Sequence, residues 1–94
     1  MNLFVLIKKA KLAKEGIVNS NVLNVNKPFV TSMLNQIDFI IQHAEKGNNP
    51  ILQLKAGQTF TYSVLASREL SSPDELKIKE LLDDVSEEMY SSDY

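Results

Sequence analysis

NKPFVTSMLNQIDFIIQHAEK, residues 26 to 46, carries the longest regular apolar period in the chain. Wound as a helix at about 100° per residue, it places Phe29, Val30, Met33, Leu34, Ile37, Ile40, Ile41 and Ala44 inside an arc of roughly 140°. That width is what a helix lying on a core requires. Asn26 is suited to cap the start through its side-chain oxygen, and Pro28 fits a first turn where the N–H it lacks would have no intrahelical partner. Lys46 and Gly47 mark the far end, a cation beside the last carbonyls and a residue tolerant of positive φ.

Phe39 breaks the pattern. It falls half a turn or more from the apolar stripe, among Ser32, Asn35, Gln36, His43 and Lys46. Large aromatics usually end up covered by their own chain; an aromatic set in a polar rim is also the usual anchor of an interface. The second alternative makes Phe39, His43 and Lys46 a contact patch for a partner.

Working outward, residues 2–15 read as a helix with Leu3, Leu6, Ile7, Ala10 and Ala13 on one side and Gly16 placed to stop it. Leu3 to Ile7 alone would equally suit a buried strand. Val5 and Leu12 lie on the back of this helix, as Phe39 does on its own. Residues 17–27 are asparagine-rich and read as a loop, with Val22, Leu23 and Val25 able to form a short edge strand.

Beyond the central helix, Gly47-Asn48-Asn49-Pro50 is a turn. Two alternating runs follow, one with Leu52 and Leu54 on one face, the other with Phe60, Tyr62 and Val64 on one face, joined by Ala56-Gly57-Gln58. Their period of two predicts an antiparallel hairpin, covered by the central helix because a lone hairpin is marginal in water. Ser71-Ser72-Pro73-Asp74-Glu75 has the form of a capping box, and it opens a last helix with Ile78, Leu81, Leu82, Val85 and Met89 on one face to about Tyr90. Residues 91–94 are expected to fray. The expected fold is therefore α+β, one domain over residues 1–90, of order α-α-β-β-α.

Ninety-four residues suffice for one core and one domain. The absence of cysteine excludes disulfides, thiol catalysis and cysteine-type zinc sites. The opening apolar run is too short for a signal peptide and is ended by Lys8 and Lys9. No run approaches the ~18 apolar residues of a membrane span, so a cytoplasmic protein is expected. The net charge of −2 hides an asymmetry. Residues 1–68 carry eight basic groups against three acidic, a net of +5, and residues 69–94 nine acidic against two basic, a net of −7.

Motifs of catalysis are missing. Gly16, Gly47 and Gly57 are too far apart for a phosphate-binding loop. His43 is the sole histidine, and a catalytic or ligand role would need further groups at set geometry. Asp83, Asp84, Glu87 and Glu88 form a carboxylate face without the alternation or glycine of a calcium loop. Neither enzyme activity nor a cofactor or metal is expected.

Two function classes compete. A helix, a second helix and then a hairpin resembles a winged-helix domain, which implies nucleic-acid binding, with Lys8, Lys9, Lys11, Lys14, Lys27 and Lys55 (and Lys46) facing phosphates. Against it, the polar side of the central helix holds no arginine and carries Asp38. The other class is binding of another protein or of itself, most simply as a homodimer, with Phe39, His43 and Lys46 in contact and the basic first and acidic last helices setting orientation. The composition suits a small bacterial or bacteriophage accessory protein of this second kind.

Overall fold

Asn2 starts the first helix: its side-chain oxygen accepts from the Val5 N–H at 3.1 Å. In this computed structural model, which describes residues 1–91, helix α1 runs Leu3–Val18, α2 Pro28–Glu45, α3 Tyr62–Glu69 and α4 Pro73–Met89. A single 3₁₀ turn, Pro50–Gln53, follows α2. Of the tail expected to fray, residues 92–94 lie outside the described residues.

The α+β expectation is overturned. Among the described residues there is no strand, so neither the hairpin nor the edge strand at Val22–Val25 forms, and the winged-helix comparison loses its wing. In place of the first strand, the Asn49 side chain accepts from Ile51 N–H at 2.9 Å and Pro50 fixes the first 3₁₀ position. The expected turn does form at Lys55–Gln58, with Gly57 at φ +81° and Gln58 N–H donating to Lys55 C=O at 2.9 Å. Its flanks are not strands. After it, Tyr62, Leu65, Ala66 and Leu70 have helical spacing, and Tyr62, Ala66 and Leu70 are buried. Leu52 and Val64, assigned to the hairpin's inner face, are instead 76% and 56% exposed.

The central helix is continuous, as its period requires. Val30, Met33, Ile37, Ile40, Ile41 and Ala44 are buried along it. Its N-cap is Lys27, not Asn26, and no side chain caps it. Its C-terminus is closed by a Schellman motif: Asn48 N–H donates to His43 C=O and Gly47 N–H to Ala44 C=O, both at 3.0 Å, with Gly47 at φ +83°.

Gly16 does not stop α1, which runs on to Val18. Its smallness serves packing instead, because a Cβ there would sit 2.8 Å from Leu81 Cδ1 of α4. Leu6, Ala10, Ala13 and Ile17 are fully buried on the face that α1 turns to α2 and α4. Lys14 meets Asp38, Lys11 meets Glu45 and Lys9 meets Glu88. Lys11 and Lys14 against Glu45 and Asp38 run α1 antiparallel to α2, and Lys9 against Glu88 with Gly16 against Leu81 does the same for α4. The short α3 lies between α2 and α4, so the four helices form a ring round one core.

The basic first helix packs along the acidic last one, with Lys9–Glu88 as the ion pair between them, while Lys11 and Lys14 pair with α2. α4 itself opens with the expected capping box. Ser72 Oγ accepts from Glu75 N–H at 3.3 Å, while Glu75 Oε1 accepts from Ser72 N–H at 3.0 Å. No helix among the described residues is long and apolar enough to cross a membrane.

Candidate binding groove

Gln36 organises the back of α2. Its Oε1 accepts from the backbone N–H groups of Thr61 and Tyr62 at 2.7 and 2.9 Å, and its Nε2 donates to Thr61 Oγ1 at 2.8 Å and Ser32 Oγ at 3.1 Å. All four of its hydrogen-bonding positions are filled. Thr61, the N-cap of α3, makes no side-chain cap of its own. The orphan amides that open α3 are therefore satisfied from another helix.

This junction holds the 54–61 segment beside α2, and an open groove of about 790 Å³ lies between them. Helix α2 supplies Pro28, Thr31, Ser32, Asn35, Gln36 and Phe39, and the segment supplies Leu54, Gln58, Thr59, Phe60 and Thr61; Asn26 closes one end. None of these side chains is charged. Three other surface depressions each include charged residues, such as Asp74 and Lys77, Glu45, or Lys27 and Glu69.

Phe39 is partly covered by its own chain. Phe60 packs on it edge-on with ring centroids 5.9 Å apart, and the His43 ring lies tilted at 4.4 Å. Phe60 in turn contacts Tyr62 at 6.1 Å, which continues the row of rings into the core. The structure thus brings Phe39 and His43 together. Lys46, the C-cap of α2, shares their helical face; its backbone N–H donates to His43 C=O at 3.1 Å and the residue is exposed. His43 Nδ1 is buried without a hydrogen-bond partner.

Tyr62 is the buried end of the row, 1% exposed, with its hydroxyl 2.8 Å from Ser86 Oγ. Burial pushes its pKa up to about 12, partly offset by the Ser86 hydrogen bond. Glu75 moves the other way: hydrogen bonds from Ser72, backbone first, hold its carboxyl below the usual range.

The lysines of the phosphate-binding alternative are scattered. Lys9, Lys11 and Lys14 are engaged by Glu88, Glu45 and Asp38 at 3.8, 3.2 and 2.7 Å. Lys8, Lys27, Lys46 and Lys55 are exposed and have no ion-pair partner among the described residues. The Asp83–Glu88 carboxylates are also partly committed, Asp83 to Lys79 at 2.7 Å and Glu88 to Lys9 and the Asn2 N–H. Among the described residues no group of three carboxylate or histidine side chains is arranged to hold a metal ion.

Sequence reading placed Ser32, Asn35 and Gln36 around Phe39 correctly. It missed the opposite wall of Leu54, Gln58, Thr59 and Phe60, whose approach depends on Gln36 reaching 25 residues along the chain. No local signal in residues 54–61 encodes that contact. No family model, curated protein or solved structure matches this chain.

Proposed function

We propose that the protein is a non-catalytic binding module that engages another protein through the face of α2 carrying Phe39 and His43 and the groove beside it. The observation that carries this reading is the uncharged groove with a Phe39–Phe60 pair at one end. Aromatic side chains within a polar surround are where binding energy concentrates at protein interfaces. A phosphate ligand would find no cation in the groove, and the three lysines of α1 nearest to forming a basic stripe already face carboxylates. Lys46, exposed at the end of the same helix, is available to the rim of such a contact.

Photo-crosslinking in cells of the source tests this. The photoreactive p-benzoylphenylalanine is placed at position 39, with a control at exposed Lys77 on α4. The expected result is a discrete polypeptide adduct from position 39 that the control does not give. An adduct of twice the chain's mass assigns the partner as a second copy and makes the protein a homodimer. A nuclease-sensitive adduct, or the same products from both positions, contradicts the reading.

A further inference from the structure

We infer that a second copy of the chain packs on the outer side of α1 and α4, about a two-fold axis parallel to the two helices. This surface uses neither Phe39 nor the groove. Both helices carry exposed apolar residues there, set among charges that the chain itself leaves unspent. On α1, Phe4 is 87% exposed, and with the exposed Val5 and Leu12 it surrounds Lys8. On α4, the exposed Tyr90 follows Asp84 and Glu87 at one-turn steps. The side chains of Lys8, Asp84 and Glu87 have no ion-pair or hydrogen-bond partner among the described residues.

The two rows match in order and in level. Contacts fix the sides of each helix: Lys11 and Lys14 of α1 turn to α2 and Lys9 to α4, while Ser86 of α4 turns to α3 and Glu88 to α1. At about 100° per residue, Phe4, Lys8 and Leu12 then follow one another from the α2 side of α1 to its α4 side. Tyr90, Glu87 and Asp84 follow in the same way from the α3 side of α4 to its α1 side. Lys9 is level with Glu88 and Gly16 with Leu81, so Lys8 is level with the last turn of α4. A half-turn about an axis parallel to the helices keeps every level and lays α1 on the other copy's α4. It brings Phe4 to Tyr90 and Lys8 to Glu87, with Asp84 one turn away. Val5 and Leu12 come to the axis, each facing its own counterpart.

Charge selects this axis. A two-fold axis across the helices would set α1 on α1 and α4 on α4, lysine against lysine and carboxylate against carboxylate. An anionic lipid surface would be repelled by Glu80, Asp84 and Glu87 beside the apolar row. One like-charged contact remains in the arrangement, Glu15 of α1 opposite Glu80 of the other copy, and it provides a test.

Sedimentation equilibrium of the full chain over a range of concentrations tests this. The expected result is a monomer–dimer equilibrium that weakens as salt rises. Lys8→Glu and Glu87→Lys should each raise the dimer dissociation constant at least about tenfold, and the two together should restore it to within about threefold. Glu15→Lys should tighten the dimer at least about threefold. Glu69→Lys, the same change of charge at an exposed position on α3, should leave it unchanged. Misfolding of a variant can mimic neither the restored pair nor the tightening. Overturning results are a monomer up to about 1 mM, a dimer indifferent to the Lys8 and Glu87 variants, a double variant no better than the single ones, or a dimer that Phe39→Ser abolishes.

Discussion

Gln36 is a polar residue on a helix surface by every local measure, yet the start of α3 is docked on α2 through it. Removing its side chain leaves the N–H groups of Thr61 and Tyr62 without their acceptor in a partly buried junction. Losing such partners costs about 1–3 kcal/mol, so Gln36→Ala should lower stability in urea denaturation by about that amount and lose the groove with it. Gln36→Glu keeps the acceptor and should cost less. Tyr62 gives a pH signature. Its folded-state pKa, about 12, stands above the unfolded value of 10. Below pH 10 both states hold the proton and stability is undiminished; between about 10 and 12 only the folded state holds it at a growing cost. Two units correspond to about 2–3 kcal/mol. Stability should therefore fall by that order as pH rises through this window, and Tyr62→Phe, about 1 kcal/mol less stable at neutral pH, should largely lack the fall.

Elements were legible in proportion to how locally they are specified. The capping box of α4 is written in adjacent residues, and it forms. Ser72→Ala should cost about 1 kcal/mol by denaturation. The low carboxyl pKa of Glu75 has the opposite sign to Tyr62: its contribution is present above the ordinary glutamate range and fades as pH falls through the lowered value. In α2 the apolar stripe was unambiguous over eighteen residues. Residues 60–70 were not, because Phe60, Tyr62 and Val64 alternate while Tyr62, Leu65, Ala66 and Leu70 keep helical spacing. Eleven residues can carry both periods. A strand there needed a partner at 51–55, and Asn49 and Pro50 turn that partner into a 3₁₀ helix. Gly16 was misread for a related reason: glycine marks helix ends, but it also permits close approach, and only the position of Leu81 distinguishes the two.

At the scale of the molecule, most of the ion pairing is made within each half, Lys11 with Glu45 and Lys14 with Asp38 in the basic part and Lys79 with Asp83 in the acidic part, and Lys9 with Glu88 joins the two. α1 lies between the carboxylates of α2 and α4, and its pairs are half-exposed. Exposed pairs contribute up to about 1 kcal/mol each. Lys14→Ala should therefore shift the denaturation midpoint only slightly, whereas Ile37→Ala, emptying a fully buried site on α2, should cost about 2–5 kcal/mol. Hydrophobic packing of the ring, rather than charge, holds the bundle. The binding groove argued for above exists only if residues 59–69 fold back on α2 as a loop and helix. Nuclear magnetic resonance of the intact chain tests that most directly. Helical ¹³Cα shifts over 62–69 together with contacts between the Phe39 and Phe60 rings are expected; extended shifts at 59–64 with cross-strand contacts to 51–55 would contradict it.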